Sequence, residues 1–195
     1  MSADRLSVEY DQADWNALRD IIKHRSFSTG GEVTLSSGRS SNFYFNMKPT
    51  MVHPKGSLLI ANLCLQVCDA GNFDFVGGLE MGAVPIVCSI APISAQRGKP
   101  QNVFFVRKQA KGHGTLNRID SIFDVEALKG AKVLVVEDVT TSGGSALQAV
   151  DTIRELGGVV DTVLTLVDRL EGAGDAFDER DLNLMSIFTA DDFSN

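Results

Sequence analysis

The chain has 195 residues, of which 44% are hydrophobic and 22% are charged, and its 25 acidic and 18 basic residues give a formal net charge of −7. This balance is typical of a globular protein, and the length favours a single core. The excess of carboxylates argues against non-specific binding to nucleic acid or to an anionic membrane, because such binding depends on an excess of lysine and arginine.

The sequence gives two indications of the cellular compartment. The first residues do not have the basic-then-apolar layout of a signal peptide, and no apolar run approaches the roughly 20 residues of a membrane span. The three cysteines, Cys64, Cys68 and Cys88, are too few for a disulfide scaffold. Cys64 and Cys68 could supply only two of the four ligands that zinc usually takes. We therefore expect a cytoplasmic protein with reduced thiols and no zinc site at this pair.

The amino-terminal part predicts a helix followed by a flap. Over residues 14–24, apolar side chains recur at helical spacing behind an Asp cap, at Trp15, Leu18, Ile21 and Ile22. Beyond this helix, Val33 and Leu35 alternate with polar residues, residues 36–42 are of the types found in turns, and residues 43–45 are aromatic. This pattern predicts a two-stranded flap that lies outside the core.

The remainder of the chain predicts an α/β core. Pro54 opens a helix that runs to about Cys68, with its leucines facing inward, at Leu58, Leu59, Leu63 and Leu65. Strands and helices then alternate, with strands over 73–78, 103–107, 132–136 and 159–167 and helices over 83–97 and 145–156. Strands with continuous apolar runs are typical of parallel sheets covered on both faces. We therefore expect an α/β fold with a central, mostly parallel sheet flanked by helices.

Residues 133–150 carry the strongest chemical signal. An apolar strand runs into two adjacent acids, Glu137 and Asp138, and then into a loop of small and hydroxylic residues that opens a helix. Ligands of open α/β sheets bind at the carboxyl ends of the strands, and a helix amino terminus favours a phosphate. The acids could hold sugar hydroxyls or a divalent cation beside that phosphate. The simpler alternative is that Asp138 and Thr140 only cap the helix.

One stretch of the sequence is strongly basic, although the net charge of the chain is negative. Residues 97–119 contain no Asp or Glu but a third of the 18 basic residues, namely Arg97, Lys99, Arg107, Lys108, Lys111 and Arg118. A solvated loop would explain such a cluster. Within residues 106–114, however, lysine, arginine and histidine are dense and are followed by glycine, as suits a segment that closes over a departing polyanion.

These motifs resemble those of a known family. Residues 133–150 resemble the phosphoribosyl-pyrophosphate (PRPP) signature of type I phosphoribosyltransferases, and the pattern R-K-x-x-K-x-H-G from Arg107 resembles the catalytic loop of orotate phosphoribosyltransferases. Residues 34–46 are similar to that family's amino-terminal hood, and residues 167–172 to the strand end whose arginine contacts orotate. The resemblance covers about residues 15–190 in the same order, and the chain is identified as a member of this family.

The resemblance implies a fold, a reaction and an assembly. It implies one phosphoribosyltransferase domain over 1–195, with a helix and hood at about 14–50 and a PRPP-binding core at about 54–190. The implied reaction is Mg²⁺-dependent transfer of phosphoribose from PRPP to orotate, with the Mg²⁺ carried mainly by PRPP near Glu137 and Asp138. The implied assembly is a homodimer in which the loop 107–118 reaches the neighbouring site.

The resemblance also implies roles for individual residues. The pyrophosphate-binding residues are Arg107, Lys108, Lys111 and His113, and the catalytic residues are Lys111, His113, Glu137 and Asp138. The loop around the 5-phosphate consists of Val139, Thr140, Thr141, Ser142, Gly143, Gly144 and Ser145. The orotate-binding residues are Thr141, Arg169, Tyr44 and Phe45.

The sequence departs from the family pattern at four places. Ser36 stands where many members have a lysine that touches both substrates, and Glu80-Met81 stands where some have Tyr-Lys. Glu137 replaces a common Asp, and Asn42 a common Pro. Two alternatives stay open: a PRPP-sensing regulator that binds without catalysis, and a transferase for another base. A regulator would normally need a nucleic-acid-binding module or a basic face, and the one basic cluster in the sequence is the loop.

Overall fold

The computed structural model describes residues 5–34, 40–109, 118–120, 122 and 124–194. Its helices are α1 (Gln12–Arg25), α2 (Lys48–Met51), α3 (Pro54–Gly71), α4 (Ala83–Gln96), α5 (Gly144–Glu155) and α6 (Ala173–Asp178). Its strands are β1 (Phe27–Thr34), β2 (Ser40–Phe45), β3 (Phe75–Gly77), β4 (Asn102–Val103), β5 (Phe105–Val106), β6 (Ile119–Asp120), β7 (Lys132–Thr140), β8 (Val159–Asp168) and β9 (Asn183–Thr189). Short 3-10 helices lie at Val125–Leu128 and Ala190–Phe193.

A parallel sheet in the order β4-β3-β7-β8-β9 forms the centre of the fold. Alternate residues of β7 enter two different cores, because successive side chains of a strand point to opposite faces. Leu134 and Val136 pack with residues of α1, α3 and α4, whereas Val133 and Val135 pack with residues of α5 and α6. The predicted α/β architecture, a mostly parallel sheet flanked by helices, is confirmed.

The predicted helices are present with small changes at their ends. The cap of α1 is Asp11, whose side chain accepts a hydrogen bond of 2.8 Å from the backbone N–H of Asp14. Helix α3 begins at Pro54 as expected, and Leu59, Leu63 and Leu65 are buried. The expectation for Leu58 was wrong, because its side chain is 43% exposed. One residue step turns a helix by about 100°, which places Leu58 beside the buried stripe and not within it.

The strand predicted over residues 103–107 is in fact two strands. Strand β4 pairs in parallel with β3, whereas β5 pairs in antiparallel fashion with β6 and keeps only an isolated parallel bridge, from Val106 to Leu79, beyond the end of β3. Phe104 separates them and is fully buried; a Cβ added to Gly77 would lie 2.6 Å from its ring. The backbone stays beside β3 through this position, since the N–H groups of Phe104 and Val106 donate to the carbonyls of Val76 and Gly78 at 3.0 Å and 2.7 Å. Strand β5 thereby directs the chain towards the basic loop.

The predicted flap is a two-stranded antiparallel sheet of β1 and β2. Its carboxyl end was wrongly expected to lie outside the core. Phe45 is only 5% exposed, and its ring lies 5.0 Å from that of Phe27 and 5.2 Å from that of Phe193. Tyr44 points to the opposite side of the strand and is exposed. Within the described part of the chain, no helix combines the length and the apolar character needed to cross a membrane.

Candidate active site

The two adjacent acids lie inside β7. This strand was predicted to end at residue 136, but it continues to Thr140, paired with β8 as far as Asp168. Glu137 is therefore held in register with Thr165 of β8 and is buried, whereas Asp138 is half-buried. The backbone hydrogen bonds of a central strand fix both carboxylates more rigidly than a loop would.

A pocket of about 220 Å³ lies beyond the end of β7 and is lined by Glu137 and residues 139–146. Helix α5 begins here without a side-chain cap, so its first backbone N–H groups are available to an anion. Gly143 has φ +81°, and a Cβ added to it would lie 2.3 Å from Cε2 of Phe177. Only glycine fits this turn. The pocket has the size, backbone donors and helix terminus that suit a phosphate group.

One carboxylate oxygen of Glu137 lacks a hydrogen-bond partner among the described residues. Oε1 of Glu137 accepts a hydrogen bond of 3.2 Å from the backbone N–H of Asp138, but Oε2 is buried with no hydrogen-bond partner among the described residues. Burial, and then the neighbouring Asp138, raise the pKa of Glu137 well above its ordinary value of 4.5. Such an oxygen is suited to contact a hydroxyl group or a cation of a ligand. The described residues contain no cluster of three or more His, Cys, Asp or Glu that could bind a metal ion by themselves.

Gly82 brings the start of α4 against these acids. A Cβ added at Gly82 would lie 2.5 Å from Oδ1 of Asp138 and 2.6 Å from Oε1 of Glu137. The preceding peptide bond between Glu80 and Met81 is cis. Because Gly82 lies so close to both carboxylates, the backbone that follows β3 encloses the acids on one side.

Glu80 anchors the beginning of the basic loop. Its Oε1 accepts a hydrogen bond of 3.0 Å from the backbone N–H of Lys108, and its own N–H donates to the carbonyl of Val106 at 2.7 Å. The N–H of Arg107 donates to the carbonyl of Arg118 at 2.7 Å, which closes the loop at its base. The charge of Lys108 favours the ionised form of Glu137 and so lowers its pKa, in opposition to burial. The loop thus begins close to the acids.

Two predicted catalytic residues of this loop, Lys111 and His113, lie outside the described residues, and so does Ser36. Glu80 was not among the predicted site residues, although the sequence marked it as a departure from the family. Its contact with Lys108 joins two segments separated by 28 positions. No local pattern could have revealed that contact.

Arg169 follows the end of β8 and is buried beside the acids' strand. Its backbone N–H donates to the carbonyl of Thr140 at 3.0 Å. Its guanidinium group forms an ion pair of 2.7 Å with Glu171 and lies 4.6 Å from the ring centre of Phe43. Sequence reasoning missed both of these partners, although Phe43 adjoins Tyr44 and Glu171 lies two positions after Arg169. The contacts of Thr141, Arg169, Tyr44 and Phe45 with orotate stay predictions.

The comparisons with known proteins agree with this geometry. Residues 52–183 match the family model described as the phosphoribosyl transferase domain. The chain is 51% identical over 176 residues to the orotate phosphoribosyltransferase of Bradyrhizobium diazoefficiens, covering 90% of this chain and 94% of that protein. The chain belongs to the orotate phosphoribosyltransferase family.

Other members of the orotate phosphoribosyltransferase family are similar in sequence and in structure. The enzyme of Rhodopseudomonas palustris is 49% identical over 176 residues, covering 90% of this chain and 94% of that protein. The crystal structure of the Mycobacterium tuberculosis enzyme in complex with PRPP superposes with a TM-score of 0.74 at 32% identity, covering 93% of this chain and 99% of that chain. The type I phosphoribosyltransferase fold predicted from the motifs is confirmed.

Most of the predicted site residues belong to the described part of the chain. The structure brings the majority of these to one edge of the sheet. The acids and the phosphate loop lie at the end of β7, Arg169 follows the end of the neighbouring β8, and Lys108 lies at the base of the loop. Phe45 lies within the core, with its ring 5.9 Å from that of Phe43, the ring that Arg169 contacts.

Proposed function

We propose that this protein catalyses Mg²⁺-dependent transfer of the phosphoribosyl group from PRPP to N1 of orotate, producing orotidine 5′-monophosphate and pyrophosphate for pyrimidine synthesis. The observation that carries the proposal is the phosphate pocket at the start of α5, which adjoins the paired acids and Arg169 at one sheet edge. Relatives that are about half identical and bear the same enzyme name support it.

PRPP would bind across the pocket and the acids. The 5-phosphate would accept hydrogen bonds from backbone N–H groups of residues 139–145, where the positive end of the α5 dipole adds to the attraction. The ribose hydroxyls would donate to Glu137 and Asp138. Oε2 of Glu137 supports this assignment: it is buried and finds no donor among the described residues, which is costly unless a ligand supplies one.

The same oxygens fit Mg²⁺, which prefers carboxylate and phosphate oxygens. We propose that Glu137 and Asp138 approach the ion, while PRPP supplies most of its ligands. When bound, Mg²⁺ would neutralise part of the pyrophosphate charge.

Cleavage of the bond between C1 and oxygen leaves positive charge on the ribose and negative charge on the pyrophosphate. The paired carboxylates would stabilise the ribose, and Arg107, Lys108, Lys111 and His113 would stabilise the leaving group. N1 of orotate loses its proton to solvent and forms the new bond to C1, while the C1–oxygen bond breaks and its electron pair leaves with pyrophosphate. No enzyme nucleophile is required. Catalysis would consist mainly of positioning and of electrostatic stabilisation.

Orotate differs from uracil by a carboxylate, and Arg169 would bind this group. Thr141, Tyr44 and Phe45 complete the proposed orotate site. Of the two aromatic residues, Tyr44 is exposed, whereas Phe45 is buried.

The reaction can be tested by the absorbance change as orotate is consumed with PRPP and Mg²⁺. Turnover of uracil or a purine without turnover of orotate would identify a transferase for another base. Inactivity with every base would favour a PRPP-sensing regulator. Within an active enzyme, we expect Lys111→Ala to lower kcat by about 10²–10³-fold, the usual loss for one transition-state donor, with PRPP binding retained. Unchanged turnover would remove Lys111 from the mechanism.

We also propose a homodimer in which the loop 107–118 acts in the neighbouring site. An exposed apolar surface between α2, α3 and α4 supports it, because Val52 (73% exposed) and Leu58 (43% exposed) line one groove with residues of α4. Mixing Lys111→Ala subunits with Asp138→Asn subunits should restore part of the activity, because some mixed sites would contain both native residues. Mixtures as inactive as the separate variants would contradict a loop that acts in trans.

We propose a cytoplasmic location as well. Cys64, Cys68 and Cys88 are all free thiols, and Cys88 is exposed. An exposed free thiol is typical of a reducing compartment. Fractionation of the native cells with detection of orotate-dependent activity would test this location.

A further inference from the structure

The ion pair between Arg169 and Glu171 is buried on the arginine side. The Arg169 side chain is only 2% exposed, and that of Glu171 is 20% exposed. Nε and Nη2 of Arg169 both donate to the same oxygen, Oε1 of Glu171, at 3.0 Å and 2.7 Å. One edge of the guanidinium group is therefore held by a single carboxylate oxygen.

The other edge of the guanidinium group is weakly occupied. Nη2 also donates to the carbonyl of Phe43, but at 3.4 Å this hydrogen bond is long. Nη1 has no hydrogen-bond partner among the residues that the structure describes. The Phe43 ring covers one face of the group at 4.6 Å. Since a guanidinium has five N–H donors, the edge formed by Nη1 and Nη2 can still bind a carboxylate through two hydrogen bonds.

The backbone between the two residues is held in an uncommon conformation. Leu170 has φ +59°, in the left-handed region that branched, bulky side chains rarely adopt, and its side chain is 53% exposed. Its N–H donates to Oδ1 of Asp168 at 2.9 Å, which stabilises the turn. The exposed Leu170 side chain gives little packing in return for this strain. The contact that the turn makes possible is that of Glu171 with Arg169.

We propose that Glu171 is a positioning residue that orients Arg169 for the carboxylate of the substrate. Glu171 offsets the cost of burying the arginine charge and fixes one edge of the guanidinium, so that the other edge is presented to a planar carboxylate. This inference rests on the proposed function, because it takes orotate as the ligand of Arg169. It makes Glu171 a determinant of the preference for a carboxylated base without giving it direct contact with the substrate.

The proposal predicts an effect on one substrate only. Glu171→Ala removes both hydrogen bonds that orient Arg169, and we expect the KM for orotate to rise by about 10- to 100-fold, the factor that corresponds to the loss of one charge-assisted contact. The KM for PRPP should stay within about twofold, because PRPP binds at β7 and α5. Glu171→Gln keeps an accepting oxygen but loses the charge, so its orotate KM should rise less than that of Glu171→Ala.

The test is steady-state kinetics of the purified full chain, with each substrate varied while the other is saturating, together with thermal melting. Glu179→Ala is the matched control, because it removes the same charge from an exposed position at the end of α6. An orotate KM of Glu171→Ala that equals the control value would overturn the proposal. So would an equal rise of both KM values, or a Gln variant as impaired as the Ala variant.

A shorter acid provides a second test if Glu171→Ala does not fold. Glu171→Asp keeps the charge but is shorter by one methylene group, so it should raise the orotate KM although the variant folds; an unchanged KM would refute the proposal. Wild-type enzyme that does not turn over orotate would overturn the proposed function and this inference together. Wild-type turnover of orotate with Glu171 variants that behave like the control would overturn this inference alone.

Discussion

Gly82 offers a way to displace the paired acids without damaging the fold. It has φ −58° and ψ −47°, which is an ordinary helical conformation, so Gly82→Ala adds no backbone strain. The added methyl group would meet only carboxylate atoms at its closest contacts, those of Asp138 and Glu137. The substitution therefore acts on the acids more than on the protein's core.

The size of the displacement follows from the structure. The new Cβ would lie 2.5 Å from Oδ1 of Asp138, whereas ordinary contact begins at 3.4 Å, so this oxygen must retreat by about 0.9 Å. Oε1 of Glu137, at 2.6 Å, must move by a similar distance. A misplacement of about 1 Å in an active site can lower the rate by about 100-fold, or roughly 2.7 kcal/mol of transition-state stabilisation. We expect this loss with a change in unfolding free energy below about 1 kcal/mol.

The assay compares kcat/KM for PRPP and the melting temperature with those of a matched control. Gly174→Ala is suitable, because a Cβ at Gly174 would have no atom within 4 Å. The reasoning would be refuted if Gly82→Ala melted like the control and kept kcat/KM within about threefold of it. The acids could then move by almost 1 Å without consequence for catalysis, and their proposed contact with ribose would be wrong.

Three further substitutions test other parts of the structure. The raised pKa of Glu137 means that the folded state disfavours its ionised form, so wild-type stability should fall as the pH rises above 4.5. Glu137→Gln should therefore gain melting temperature relative to wild type as the pH rises above 4.5, and a difference that does not change with pH would contradict this. Gly143→Ala combines φ +81° with a clash against Phe177, and it should lower the unfolding free energy by about 1–3 kcal/mol and weaken PRPP binding in a titration. Unchanged melting would show that the turn can relax. Leu58→Asp places a charge on the exposed apolar surface and should give monomers in sedimentation, while a persistent dimer would locate the interface elsewhere.

Local patterns predicted most of the helices and strands because the apolar residues repeat at the period of each element. They failed where a distant residue intervenes. Nothing near Phe104 indicates that its ring packs over Gly77, or that the strand after it pairs with β6. Strand β9 was not predicted at all, because its side chains are mostly half-buried and do not form the continuous apolar run of β7.

For the candidate site as well, local features were predictable from the sequence, whereas contacts between distant segments were not. The sequence by itself determined the residue types and their order: two acids after an apolar run, a glycine-containing loop before a helix, and a dense group of cations. It could do so because a phosphate loop and a charged segment are local features of the chain. Only the tertiary structure decided which atoms lack a partner and which meet. Oε2 of Glu137, which has no partner among the described residues, is enclosed because β7 is buried between two layers of helices, and the surroundings of Arg169 come from a turn at Leu170 and a ring from β2. Burial and partnership depend on segments far apart in the chain, and these come together only when the sheet and the hood have formed.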